Sequence, residues 1–339
     1  MRLLVLGGTE FVGRAVVDAA LRRGWRVTVL NRGHRPPPPG VEALHGDRTA
    51  PGGLAELERG PGAEWDAVVD TWSGAPRAVR EAARLLAGRA GRYVYVSSCS
   101  VYAWAPPADY TEDAPLVTGA DAGAGETDYV RDKRGGELAA LEAFGADRSV
   151  FVRAGLILGP HENIGRLPWW LNRMARGGPV LAPGPRELPL QYVDARDLAA
   201  WALGAVEREL HGPYNLISPQ GHATTGTLLD ACAAVTGGAA DLRWTEPEVI
   251  LDAGVQPWTQ LPVWVPPGTE GHDALHRADV SRAVATGLDC RPVHETVADT
   301  WRWLRSVGGT VPPRPGRPPV GLDPATEARV LLDGGRSGR

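Results

Sequence analysis

The sequence predicts an α/β fold, a doubly wound parallel sheet with a smaller, mostly C-terminal lobe, and three observations carry that reading. Short apolar runs alternate with amphipathic helical stretches through residues 1–159. Strands separated by helices of this length imply a parallel sheet covered on both faces. After Gly159-Pro160 the character changes, and eight of the twelve Trp fall between residues 160 and 310. A glycine-rich turn, Gly7-Gly8-Thr9-Glu10-Phe11-Val12-Gly13, sits between the first strand and the first helix, which is the Rossmann-type arrangement.

The elements follow in order. Leu3–Leu6 reads as a strand and residues 11–23 as a helix. Arg26–Leu30, Val41–His45, Ala67–Val69 and Tyr93–Val96 read as further strands, with an Ala- and Arg-rich helix over residues 75–87. A helix from Asp128 to Phe144 leads to the strand Val150–Arg153. Residues 160–307 read as a substrate lobe, with helices near 167–176, 195–207, 225–235 and 295–304. The last sheet strands, Leu190–Val193 and Tyr214–Ile217, interleave with it. Residues 308–339 are rich in Gly, Pro and Arg and read as a poorly ordered tail.

Composition excludes several classes. With 43% hydrophobic and 22% charged residues the chain is an ordinary globular one. Its 40 acidic and 36 basic residues give a net charge of −4, which argues against a dedicated nucleic-acid binder. Cys99, Cys232 and Cys290 match neither a metal spacing nor a disulfide framework, as expected in a reducing cytoplasm. His272 and His276 lie four apart without a third ligand, so no metal site is expected. The apolar run Leu3–Leu6 is too short to read as a signal peptide and no stretch of eighteen apolar residues follows, so the expectation is a cytoplasmic protein without membrane partners. Homodimerisation is left open. One feature is unusual: among 36 basic residues, Lys133 is the single lysine.

In the glycine-rich turn, Gly7, Gly8 and Gly13 let the backbone fold tightly. The helix N-terminus, from Thr9 through Phe11 and Val12, then presents N–H groups to a pyrophosphate. Glu10 stands where the usual pattern has glycine; its carboxylate would repel a pyrophosphate and is expected to point to solvent. The second strand ends Asn31-Arg32-Gly33-His34-Arg35 rather than in the acid that binds a ribose 2′-hydroxyl. A neutral Asn31 with Arg32 and Arg35 favours the 2′-phosphate of NADP(H), with NAD(H) as the alternative cofactor. A solvated basic turn would explain the same residues. Asp47, followed by Arg48, is placed to accept from an adenine amino group.

Tyr129 and Lys133 lie four apart on a predicted helix and share a face. A tyrosine hydroxyl titrates near 10, and a neighbouring ammonium lowers that towards the working range. The same ammonium can bond a nicotinamide ribose through a compact donor geometry that a guanidinium does not reproduce. Tyr93-Val94-Tyr95-Val96-Ser97-Ser98-Cys99-Ser100 is a strand ending in hydroxyls, at the sheet edge where ligands bind in open α/β folds.

On these residues, together with Glu137, Arg153, Asp197 and Tyr214-Asn215, the chain resembles the extended short-chain dehydrogenase/reductase family, the NAD-dependent epimerase/dehydratase group. The resemblance covers residues 1–306 and points to a divergent, reductase-like branch. It implies a catalytic set of Ser98, Tyr129 and Lys133, with Ser98 holding the substrate oxygen and Tyr129 shuttling the proton. Ser97 and Ser100 are fallbacks for Ser98. It also puts Thr71 and the bulky Trp72 near the cofactor, in Asp70-Thr71-Trp72-Ser73, which replaces the usual His-x-Ala-Ala. Cys99 and Ser100 stand where dehydratases carry Asp-Glu, so elimination is disfavoured. Leu188-Pro189-Leu190-Gln191-Tyr192 lacks the arginine that grips a sugar-nucleotide diphosphate, with only Arg186 nearby.

For the substrate side, Ser100, His161, Asn163 and Trp169 are the candidates, although a surface loop and a packed core explain the last three equally well. The function expected is an NAD(P)-dependent oxidoreductase acting on a carbonyl or alcohol of a small non-nucleotide molecule. An epimerase with tightly held NAD and a non-catalytic cofactor-sensing or RNA-binding relative are the alternatives.

Overall fold

The computed structural model describes residues 1–58, 64–125, 127–311 and 319–337, the last five as backbone only. Its centre is a seven-stranded sheet in which every neighbouring pair is parallel. The strands are β1 (Arg2–Leu6), β2 (Arg26–Asn31), β3 (Glu42–His45), β4 (Trp65–Asp70), β5 (Ala90–Ser98), β6 (Ser149–Ala154) and β7 (Gly212–Leu216). Their order is β7-β6-β5-β4-β1-β2-β3, so the winding reverses between β1 and β4. Ligands of open α/β sheets bind in the crevice outside such a switch point, at the carboxyl ends of the strands.

Continuous apolar runs form these strands because both faces are covered. Leu3 and Val5 join a core with Val16, Leu198 and Trp201. Leu4 and Leu6 join the opposite core with Val79, Ala83 and Phe144. The first core lies beneath α1 (Phe11–Arg22) and the later helix Ala195–Glu207, which pack together. The second lies beneath α2 (Pro76–Leu86) and α3 (Tyr129–Phe144). Truncating a buried leucine such as Leu4 to alanine would cost about 2–5 kcal/mol.

The lobe is built on α4 (Arg166–Ala175), α5 (Ala195–Glu207, shared with the sheet), α6 (Thr225–Val235) and α7 (Val293–Ser306). It has its own apolar core around Trp170, Leu171, Leu229, Ile250 and Trp264. Two details differ from the sequence reading. Residues 190–193 do not enter the sheet: Pro189–Leu190 pairs with Ala223–Thr224 and Val193–Asp194 with Ile157–Leu158, as two-residue ladders. Asp194 ends its strand by accepting from Arg196 N at 2.8 Å, which caps α5.

The second difference is the tail. Residues 312–318 lie outside the described residues, but α8 (Pro324–Ser337) is a docked helix, not a disordered end. Asp323 caps it by accepting from Thr326 N at 2.9 Å, and Pro324 opens its first turn. Glu327, 5% exposed, pairs with buried Arg173 at 2.7 Å and accepts from Leu181 N at 3.1 Å, while Val330 is fully buried. Among the described residues no helix is long and apolar enough to cross a membrane.

Candidate active site

The glycine-rich turn is as tight as its composition implies. Gly7 has φ +102°, and a Cβ there would lie 2.6 Å from Thr71 Oγ1. A Cβ on Gly13 would lie 2.3 Å from Gly7 O, so α1 approaches the turn as closely as backbone allows. Phe11 and Val12 turn their side chains into the core, so at these positions it is the backbone, not the side chain, that a ligand could meet. The result is a cradle open to an anion at the N-terminus of α1.

At the end of β2, Asn31 Oδ1 accepts from Gly33 N at 2.7 Å. Its Nδ2 is buried without a partner, a spare donor where a ribose hydroxyl would lie. The cradle and this donor fit a dinucleotide. Arg32 is exposed. Asp47 is held below the usual carboxylate range by its bonds from Thr49, with smaller help from Arg32 and His34.

Two cofactor candidates are placed otherwise. Arg48 turns inward, donates to both oxygens of fully buried Asp70 at 2.7 and 2.8 Å and to Ala78 O at 2.9 Å, and stacks on Trp72. Its side chain belongs to the core, because an aspartate buried at the end of β4 needs a cation beside it. Arg35 pairs with Glu10 at 2.8 Å. Glu10 in turn accepts from Asn163 Nδ2 at 2.7 Å, so it does not simply face solvent.

The candidate reaction centre forms at the carboxyl edge of the sheet. Asp128 accepts from Arg131 N at 2.9 Å and starts α3, whose first residue, Tyr129, is 39% exposed. One turn later Lys133 is 3% exposed. Its Nζ donates to Trp72 O and Val96 O, each at 2.6 Å, and sits 4.9 Å above the Tyr95 ring. The ammonium thus ties α3 to the ends of β4 and β5. Ser98 closes β5, accepting from Ser100 N and donating to Ser100 Oγ, both at 3.1 Å. Ser100 is exposed beside it. Thr71 donates to Leu6 O at 3.1 Å, bridging the switch-point strands, and Trp72 Nε1 donates to Ala75 O.

Ser97 points away from this edge and donates to Glu137 Oε1 at 2.7 Å, which removes it as a fallback for Ser98. It belongs to a buried network whose members the sequence offered without a role. Glu137 pairs with Arg153 at 3.0 Å, Arg153 donates to Tyr102 Oη at 3.1 Å, and Tyr102 donates to Asn215 Oδ1 at 2.5 Å. Glu112 accepts from Asn215 N at 2.8 Å. These groups clamp α3 against β5, β6 and β7. The available signal was Glu137, four residues after Lys133 and so on its face of the helix.

On the lobe side, His161 packs its ring 5.3 Å from Trp303, and burial together with Arg14 pushes its pKa down. Glu162 is fully buried and accepts from Arg166 N at 2.7 Å and Leu167 N at 3.2 Å. Burial pushes its carboxyl up to about 7, against Arg166 and the helix N–H groups. Trp169 is half-buried against the lobe core: it packs edge-on to Trp170 at 4.7 Å, and a Cβ on Gly321 would lie 2.0 Å from its Nε1. Gly321, shortly before α8, thus lies against its indole edge. His272 and His276 are buried ring to ring, 5.2 Å apart. Among the described residues no three His, Cys, Asp or Glu converge as metal ligands.

Comparison with known proteins agrees with this architecture. The family described as NAD dependent epimerase/dehydratase matches residues 3–216. A Bos taurus protein, epimerase family protein SDR39U1, is 27% identical over 260 residues, covering 71% of this chain and 82% of its own. The Bordetella bronchiseptica enzyme WbmH in complex with NAD+ superimposes with a TM-score of 0.66 at 18% identity, over 91% of this chain and 99% of its own. Thermus thermophilus UDP-glucose 4-epimerase in complex with NAD does so at 0.60 and 20%, over 90% and 99%. At these identities the solved structures speak for the fold.

Proposed function

We propose, from the premise that this chain belongs to the NAD dependent epimerase/dehydratase family, that it is an oxidoreductase of the short-chain dehydrogenase/reductase type. It would move a hydride between a nicotinamide dinucleotide and a carbonyl or alcohol of a small non-nucleotide molecule. The observation that carries the reading is Lys133, the single lysine, buried and bonded to Trp72 O and Val96 O one turn from exposed Tyr129.

When bound, the dinucleotide supplies the hydride donor or acceptor. The chain's own groups do the rest. Tyr129 Oη gives or takes the proton of the substrate oxygen, and Ser98 Oγ holds that oxygen in reach. Lys133 brings a fixed positive charge to their side of the sheet edge, held there by Trp72 O and Val96 O. The cradle at Gly7–Gly13 receives the pyrophosphate and Asn31 Nδ2 the adenosine ribose. Asn31 with Arg32 supports NADP(H) over NAD(H), since no carboxylate ends β2.

The non-nucleotide substrate is supported by Leu188, Leu190 and Tyr192, all buried where a diphosphate-binding arginine would stand. Arg186 is bonded to Asp230 and stacked on Trp244 instead. An epimerase with tightly held NAD is the second reading, supported by the description of the matching family, NAD dependent epimerase/dehydratase. Protein purified with bound NAD and showing no net redox change would favour it. The direct test of the first reading is Tyr129→Phe. Turnover of carbonyl substrates should fall by roughly 10²–10⁴ while dinucleotide affinity stays within about twofold; unchanged turnover refutes it.

A further inference from the structure

Glu10 is the one departure in the glycine-rich turn, and the structure gives it two partners from distant segments. Arg35, in the loop after β2, brings its Nε to 2.8 Å from Oε1. Asn163, in the lobe loop that leads into α4, donates its Nδ2 to Oε2 at 2.7 Å. Both carboxylate oxygens are therefore fixed, one from the sheet side and one from the lobe. The carboxylate belongs to the residue that immediately precedes α1, where a pyrophosphate would lie.

Resting on the function proposed above, we infer that Glu10 is a cofactor-selecting residue that acts through Arg35. The loop after β2 carries two arginines. Arg32 forms no ion pair among the described residues, whereas Arg35 is neutralised by Glu10. A 2′-phosphate adds close to two negative charges at the end of β2, and a guanidinium attracts it only so far as its charge is not already met by a carboxylate. Glu10 withholds half of the loop's arginine charge and so holds down the preference for the phosphorylated dinucleotide. Asn163 is a positioning residue here: its bond keeps the carboxylate turned to Arg35.

Glu10, Arg35 and their link are half-exposed, so the effect is moderate and sensitive to salt. Calorimetric titration of the full-length chain with NADPH and with NADH, at low salt, measures it. Glu10→Gln should tighten both, because a charge leaves the pyrophosphate site, but should tighten NADPH about 3- to 10-fold more than NADH. Asn163→Ala should shift the ratio the same way by less. In an Arg35→Ala background, Glu10→Gln should change both affinities equally, since the selecting arginine is gone.

Equal shifts for the two dinucleotides in the native background overturn the inference and leave the oxidoreductase reading standing. Binding of neither dinucleotide to the unaltered protein overturns that reading, and the inference with it.

Discussion

Replacing Lys133 with arginine keeps the charge and tests whether the geometry of the ammonium matters. Nζ sits between two carbonyl oxygens at 2.6 Å, one from each of two neighbouring strand ends, with the Tyr95 ring beneath it. A planar guanidinium is larger, and the floor cannot retreat. Tyr95 Oη is bonded to Trp72 O at 3.2 Å, and a Cβ on Gly136 would lie only 2.4 Å from it, so the ring is wedged against α3. Forcing extra atoms into a packed site costs about 1–3 kcal/mol, and losing one charge-assisted bond adds about 1.5–3 kcal/mol. The variant should therefore lose roughly 2.5–6 kcal/mol of stability. Displacing the cation by an ångström should cost about 10²-fold in kcat/KM. Urea unfolding gives the first quantity and steady-state kinetics the second. Lys133→Met is the companion, since it relieves crowding but leaves both carbonyls without their donor. Wild-type stability and turnover in Lys133→Arg would refute the argument and make the lone lysine an accident of composition.

Three further outcomes follow from geometry already described. Gly13→Ala puts a methyl 2.3 Å from Gly7 O, and should destabilise the fold by about 1–3 kcal/mol and weaken dinucleotide binding at least tenfold, read by calorimetry. For Glu162, the folded chain keeps its proton up to about pH 7 while an unfolded chain releases it near 4.5, so this group's stabilising contribution declines as pH rises between those values. Glu162→Gln should flatten that slope, worth at most on the order of 3 kcal/mol, and parallel urea midpoints across the window would sink the prediction. Glu327→Ala leaves Arg173 buried without its carboxylate and should cost about 3–5 kcal/mol while leaving dinucleotide affinity unchanged; a loss of affinity would contradict the lobe's separate core.

What could be read in the sequence had a local cause. Strands buried on both faces read as apolar runs, so β1, β2, β4 and β5 were legible, and α5 and α6 were placed at their observed bounds by periodicity alone. Lys133 was legible because it is unique. Pairings between distant segments were not. Arg48 and Asp70 are 22 residues apart, and Glu10 and Asn163 are 153 apart; nothing in either neighbourhood announces the partner. The parallel pair Gly178–Pro183 and Ala240–Thr245 escaped because glycine and proline mask one strand, and its ladder forms only once the lobe has closed. The docking of α8 was hidden by the Gly-, Pro- and Arg-rich stretch before it, although Asp323-Pro324 is a readable helix start.

The reach of that last helix bears on biosynthesis. β7 completes the sheet by residue 216, so the dinucleotide half has all its strands while much of the chain is still being made. Arg173, by contrast, must wait for Glu327, 154 residues later. At about 5–20 residues per second that is a gap of roughly 8–30 s during which the nascent lobe carries a guanidinium that has its local carbonyls, Gly177 O and Pro179 O, but not its carboxylate. A ribosome that stalls late in this interval would present all seven sheet strands joined to an unfinished lobe. Chaperones and proteases acting on the young chain would then find most of their target in the second half.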